Sequence, residues 1–184
     1  MTMPFILRDA TPADAAGIAA IYNDAVRTTT AILMEGEVDA ANRVAWMQAR
    51  AALGYPVLVA VDGDAVLGYA SFGDFRPFDG FRATVENSVY VAQAARGRGL
   101  AQALLRALIP RAAALGKHVM VAAITSENAA SLALHARVGF VETARMPGVG
   151  QKFGRWLDLV FMQLALDARP FPGGETGPDS RPQP

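Results

Sequence analysis

Cysteine is missing from this chain, which excludes disulfides, thiolate metal ligands and a cysteine nucleophile. Histidine is nearly missing: His118 and His135 are the only two, too few without cysteine to suggest a metal site, so no metal is expected. Neither sign of charge is in excess, since 17 Lys and Arg balance 17 Asp and Glu. Proteins that bind nucleic acid or an anionic membrane ordinarily carry a basic excess, so neither is expected as a partner. No apolar run reaches the ~20 residues that span a bilayer. The apolar stretch before Arg8 is too brief for a secretory h-region, and a cytoplasmic location is the resulting expectation.

What is present is enough apolar residue, 52% of 184 positions, to bury the core of one ordinary domain. Thr11-Pro12-Ala13-Asp14 reads as a helix start, followed by Ile18, Ile21, Tyr22, Ala25 and Val26 at helical spacing. A threonine-rich loop over 28–37 leads to a second helix from Asp39, with Val44, Met47 and Ala51 expected inward. Residues 56–61 and 65–72 are β-rich runs about Asp62-Gly63-Asp64, a hairpin signal. Then come a loop over 73–82, a strand over 84–91, a helix over about 98–115 and a buried strand over 119–124. A helix over 128–138 stops at Gly139, and strands over 140–144 and 157–164 complete the pattern. This order predicts an α/β (α+β) domain over residues 1–166, with one mixed central sheet flanked by helices. From 167 to 184 the composition turns to Pro, Gly and Ser, which predicts a disordered tail.

The strand ending in Val89-Tyr90-Val91 is followed by Arg96-Gly97-Arg98-Gly99-Leu100-Ala101-Gln102 and a helical pattern. Glycines between strand and helix let backbone N–H groups approach a ligand, and the helix N-terminus adds positive partial charge. A pyrophosphate suits such a place, and Arg96 and Arg98 would reinforce it. An ordinary strand-to-helix turn has the same glycines. A dinucleotide fingerprint would want a small residue where Gln102 stands and an acid after the next strand, where Glu127 is available. A P-loop is excluded, because no Gly-Lys-Ser/Thr follows.

Arg96-x-x-Gly99-x-Ala101 resembles the Gln/Arg-x-x-Gly-x-Gly/Ala signature of the GNAT acetyltransferases, and Asn128-x-x-Ser131 and Gly139-Phe140 follow where that superfamily keeps Asn, a small residue and Gly-Phe/Tyr. Tyr22-Asn23, Tyr55-Pro56-Val57, Gly68-Tyr69-Ala70, the stretch 84–91, His135 and Lys152-x-Gly154-x-Trp156-x-Asp158 are similar to the phosphinothricin-type branch. The stretches 72–82 and 152–159 look most like the enzymes acting on L-methionine sulfoximine and L-methionine sulfone. The likeness runs from about Ile6 to Leu166.

The resemblance implies a single GNAT-like domain, acetyl-CoA as co-substrate, a small amino-acid-like acceptor and a homodimer with the acceptor site near its interface. Gly97 to Gln102 would hold the phosphates. The backbone of Val89, Tyr90 and Val91 would pair with the pantetheine arm, and Asn128, with Ser131 after it, would bind that arm too. An N–H in the strand, that of Val91, would face the thioester oxygen.

A free α-amine has a pKa near 8 and is mostly protonated at neutral pH, so a base is useful. Glu86 is the candidate. Period-two alternation puts Glu86, Ser88 and Tyr90 on one face of the strand, and Val85, Asn87, Val89 and Val91 on the other. A plain exposed-face glutamate is the alternative. His135 stands where many GNAT enzymes carry a tyrosine that protonates the leaving thiolate; it would do that or pack with a satisfied ring. His118 reads as structural, and Trp156 and Asp158 as packing and hydrogen-bonding groups. Arg76, Pro77, Phe78 and Arg82 in the loop, with Glu86, Asn87 and Ser88, are expected around the acceptor. Arg76, held between aromatic and proline residues, is preferred over Arg82 as carboxylate anchor, against the alternative of a solvated arginine. Two other readings remain at this level: a peptide N-terminus or polyamine as acceptor, and a CoA-binding module without turnover.

Overall fold

In the computed structural model, which describes residues 5–169, Gly63 takes a left-handed φ of 56° and turns β2 (Val57–Asp62) back along β3 (Ala65–Asp74). The hairpin sits near one end of a seven-stranded sheet in the order β1-β2-β3-β4-β5-β7-β6. Every neighbouring pair is antiparallel except β4 (Thr84–Val91) with β5 (Val119–Thr125). Four helices complete the domain: α1 (Ala15–Thr28), α2 (Ala40–Ala52), α3 (Leu100–Ala114) and α4 (Ala129–Arg137). The remaining strands are β1 (Ile6–Asp9), β6 (Val141–Lys152) and β7 (Arg155–Ala165).

The expected mixed sheet is present, with three local corrections. The short strand β1 went unread, because only Leu7 in it is even half-buried and no alternation marks it. Thr11-Pro12 opens a 3-10 turn, and α1 begins only at Ala15. The buried Asp14 accepts from the Thr11 N–H at 2.7 Å and from both terminal nitrogens of Arg8, so its pKa falls to about 2, chiefly through Arg8. Strand β6 runs to Lys152, well past residue 144; it is an exposed edge strand with two register shifts, so no periodic apolar face announces it.

Leu100, Leu104, Leu108 and Ala112 of α3 are buried against Ala70, Phe72, Val85 and Met120 of the sheet. Truncating Leu104 to Ala would cost about 2–5 kcal/mol through lost burial and the cavity left behind. The opposite face carries α1 and α2, with Ile18 and Ile21 packed on Val57, Val59 and Tyr69. On α2, Val44 and Met47 are half-buried as expected, but Ala51 is exposed. Arg43, Trp46 and Arg50 share the inward stripe instead. Arginine stems pack along apolar surface, so two charged residues can line an inward face. The tail from residue 170 onward lies outside the described residues.

Candidate active site

The parallel pair holds only from Thr84 with Val119 to Glu86 with Val121. Beyond that point β4 and β5 part. Asn87 sits at the fork, and its Nδ2 donates to the Val121 carbonyl at 3.0 Å, so a side chain satisfies main chain where the ladder ends. Val89, Tyr90 and Val91 thus pair with β3 on one edge and with no strand on the other. A crevice of about 60 Å³ fills the fork, lined by Asn87, Ser88, Val89, Ile124, Asn128 and His135 among others.

Alongside lies a cavity of about 760 Å³, ample for a cofactor-sized ligand. Val89, Tyr90, Val91, Arg96, Gly97, Gly99, Leu100, Ala101, Gln102, Asn128 and Ser131 all line it; of the expected donor-site residues, Arg98 alone does not. Gly97 and Gly99 have φ of 78° and 81°, and Gly99 is the N-cap of α3. The free N–H groups of the first helical turn therefore face this space. Asn128 caps α4, its Oδ1 accepting from the Ser131 N–H at 3.1 Å, which leaves Nδ2 as the donor available to a ligand.

Glu86, Ser88 and Tyr90 share one face with Tyr69, Ser71 and Gly73 across the β3–β4 register, as the alternation predicts. Glu86 is half-buried. Burial raises its pKa, opposed by the charge of Arg76. Burial also pushes the Tyr90 phenol up to about 12, against a hydrogen bond from Ser88. Arg76 is exposed, its guanidinium 4.2 Å above the Phe75 ring, and Nη1 donates to the Phe75 carbonyl. Pro77, Phe78 and Arg82 are exposed too, and Arg82 donates back to Asp79 of its own turn at 3.0 Å. Of the two loop arginines, Arg76 is the one in electrostatic contact with Glu86.

His135 is 2% exposed with both ring nitrogens engaged. Nε2 is 3.1 Å from Asn87 Oδ1, and Nδ1 is 2.8 Å from the Ser131 carbonyl and 3.3 Å from the Ser131 hydroxyl, which can donate to it in the neutral ring. Burial lowers its pKa, opposed by that carbonyl. His118 pairs with Asp167 at 2.7 Å, a structural contact. Asp158 accepts from the Gly148 N–H at 2.9 Å, the hydrogen-bonding role read for it, whereas Trp156 is 70% exposed and packs little.

Several residues around the site escaped the sequence reading. Thr28 to Ala31, Arg137, Phe153 and Arg155 line the large cavity, as does Glu127, which the sequence offered only as the acid of a dinucleotide site. Glu127 holds Arg155 through two hydrogen bonds and accepts from Thr30 at 2.7 Å. Lys152, 2% exposed, donates to the carbonyls of Thr29 and Ile32. Asn23 bonds both the N–H and the carbonyl of Val38. These clamps fix the loop between α1 and α2. Tyr22-Asn23 and Lys152 lay inside recognised stretches, but only folding shows what they hold. On α2, Arg43 lies over Tyr22 at 4.7 Å and over Trp46 at 5.1 Å, and Trp46 meets Tyr69 edge-on at 6.1 Å. Spacing of three and four residues was the signal; the sequence reading placed Val44, Met47 and Ala51 inward and did not take up these arginines.

Among the described residues no three His, Asp or Glu come together as metal ligands, and no helix is long and apolar enough to cross a membrane.

A mixed sheet that parts at its parallel pair, beside a glycine turn and a helix N-terminus, defines a GNAT-like α/β domain. The chain belongs to the Acetyltransferase (GNAT) family, matched over residues 18–140, and is an N-acetyltransferase. It is 65% identical over 162 residues to an L-methionine sulfoximine/L-methionine sulfone acetyltransferase of Pseudomonas aeruginosa, covering 88% of this chain and 94% of that one. It is 60% identical over 166 residues to the L-amino acid N-acyltransferase MnaT of Escherichia coli, covering 90% and 96%. Its fold matches yncA of Salmonella typhimurium, solved with its cofactor acetyl-CoA, at a TM-score of 0.88 and 58% identity over 90% of this chain and 95% of that one.

Proposed function

We propose that this enzyme moves an acetyl group from acetyl-CoA to the α-amine of a small amino acid of the L-methionine sulfone, L-methionine sulfoximine or phosphinothricin type. The observation that carries this reading is the parting of β4 and β5 at Asn87, which leaves one strand bearing both a free edge on the large cavity and a half-buried carboxylate at Glu86.

The residues present suit acetyl-CoA. First-turn N–H groups of α3 and the guanidinium of Arg96 suit the pyrophosphate, with Arg98 adding charge nearby. The unpaired edge of Val89 to Val91 offers main-chain donors and acceptors to the pantetheine amides, and Asn128 Nδ2 and Ser131 lie beside them. When bound, acetyl-CoA supplies the activated acyl carbon. The amine nitrogen forms the new C–N bond, the C–S bond breaks, and the thiolate takes up a proton.

Glu86 takes the proton from the ammonium, directly or through water. Its raised pKa brings it nearer the working pH of a general base. Arg76 stands at the exposed rim as a partner for the acceptor carboxylate, and Pro77, Phe78, Arg82, Asn87 and Ser88 border that approach. For His135, the packed-ring reading has the better support: it orients Asn87 at the fork, and both its nitrogens are occupied. The enzyme works in the cytoplasm as a homodimer, disposing of toxic amino-acid analogues. Exposed Met146, Val149, Phe153 and Trp156 along β6 and β7 favour that edge as the dimer contact. No charged excess recommends a nucleic acid or membrane partner.

CoA release is the test, measured with L-methionine sulfone, L-methionine sulfoximine, phosphinothricin, spermidine and a short peptide. The amino acids should give the highest kcat/KM. Preference for spermidine or the peptide would overturn the acceptor, and no release with any amine would overturn the catalytic reading.

A further inference from the structure

Arg50 carries a buried donor that the fold does not satisfy, although Asp74 acts on its charge and the Trp46 ring lies 5.9 Å from its Cζ. Its Nε is shut off from solvent and has no hydrogen-bond partner, and among the described residues Arg50 joins no ion pair. Arginine stays protonated in proteins. A desolvated guanidinium donor without an acceptor destabilises the fold. Such a group is retained where something outside the fold supplies the acceptor.

The nearest anion does not. Asp74 accepts a hydrogen bond from the Tyr55 hydroxyl, which itself accepts from Lys117 Nζ at 2.9 Å. Asp74, Tyr55 and Lys117 thus form a hydrogen-bonded chain, and Asp74 acts on Arg50 through charge without giving its Nε an acceptor.

The position of the guanidinium indicates what would. Its Nη1/Nη2 edge occupies the space at Gly73, where a methyl group would overlap Nη1 and stand 2.6 Å from Cζ and 2.7 Å from Nη2. Gly73 is the cross-strand partner of Glu86. Residues directly opposite in an antiparallel pair project from the same face, with Cβ positions about 5 Å apart. The absent side chain of Gly73 therefore makes room for a cation beside the proposed base. An α-amino acid presents an ammonium and a carboxylate one carbon apart, the complement of this carboxylate and guanidinium.

We propose that Arg50 binds the α-carboxylate of the acceptor, with Gly73 keeping the space for it. This rests on the reading of the acceptor as an amino acid. Arg76, exposed on its loop, meets the same charge from the rim, while Arg50 meets it inside. A planar guanidinium suits a carboxylate because two parallel hydrogen bonds form at once.

The test compares L-methionine sulfone with its carboxamide as acceptors for wild type, R50M, R50K and G73A. Wild type should favour the acid. In R50M the acid-to-amide ratio of kcat/KM should fall about 10- to 100-fold, as expected for losing a charge-assisted pair. KM for acetyl-CoA should be unchanged, and R50K should recover part of the loss. G73A leaves Arg50 in the sequence but displaces its guanidinium, so it should reproduce the effect of R50M. The double variant should lose little more than either alone, and G73A keeps the test open should R50M fail to fold. Equal losses on acid and amide, or an unchanged ratio in folded R50M and G73A, would overturn the proposal while leaving the acceptor class intact. A wild type that acetylates spermidine and no amino acid would overturn the acceptor reading, and this proposal with it.

Discussion

Asn87 and His135 meet across the fork in the sheet, with Asn87 Oδ1 3.1 Å from His135 Nε2 while Nδ2 of the same amide donates to Val121. The amide is thereby fixed in orientation, and β4 is tied at once to α4 and to β5. Because Asn87 sits where the strands part, this contact sets where the unpaired edge begins.

The buried ring makes stability depend on pH. Burial holds the folded pKa of His135 below its usual 6.5, so the unfolded chain takes up a proton more readily than the folded one. The stability that comes from keeping the ring neutral is complete above about 6.5 and is lost as pH falls through the lower folded value. Urea unfolding of the wild type should show that decline, and His135→Gln should flatten it while costing about 1–3 kcal/mol at pH 7.5. Turnover of the variant should stay within about tenfold of wild type, as suits a positioning residue. A loss of ~10²-fold or more would mark His135 as the proton donor.

Glu86→Gln keeps the side-chain shape and removes the proton acceptor. Turnover near neutral pH should fall about 10²-fold or more. Raising the pH should recover part of it, since more of the amine is then neutral. Burial raises the pKa of Glu86, so wild-type kcat/KM should decline as pH falls through that raised value, and the variant should lack the decline. A pH–rate profile unchanged in shape and height would remove Glu86 from the chemistry.

Gly99 needs its φ of 81°, a region that costs other L-residues about 1–2 kcal/mol. Nothing lies within 4 Å of where its Cβ would stand, so the side chain of Gly99→Val would extend into open space on the cavity. Acetyl-CoA affinity by calorimetry should drop at least about tenfold in a variant that still folds. Wild-type affinity would mean that the phosphates sit elsewhere.

Lys152→Met leaves the carbonyls of Thr29 and Ile32 without their buried donor, at about 1–3 kcal/mol for each unsatisfied group. The melting temperature should fall. Because Thr28 to Ala31 line the large cavity, KM for acetyl-CoA should rise as well. A lower melting temperature with unchanged KM would limit Lys152 to stability alone.

Arg76→Ala should raise KM for L-methionine sulfone about tenfold while leaving KM for acetyl-CoA nearly unchanged. Its effect should be smaller than that of R50M, because Arg76 is exposed and its charge is screened by water. An Arg76→Ala enzyme that handles acid and amide as the wild type does would leave the carboxylate to Arg50 alone.

Local sequence determined much of this protein. Alternation in 84–91 put Glu86, Ser88 and Tyr90 on one face, and the structure keeps them there, because strand geometry fixes which side chains share a face. The glycine turn and helix start near Gly99 were equally legible, since positive φ and a free helix N-terminus are properties of a few consecutive residues. The tertiary structure alone decided the parting of β4 from β5, which depends on Asn87 reaching a carbonyl 34 positions away. It alone decided the burial of Lys152 against carbonyls more than 100 residues distant, and the seating of Arg50 on Gly73 beside Glu86. Nothing in local sequence marks an arginine or lysine for burial, because charge favours water wherever water can reach it. Only the packing of helix on sheet determines where water cannot.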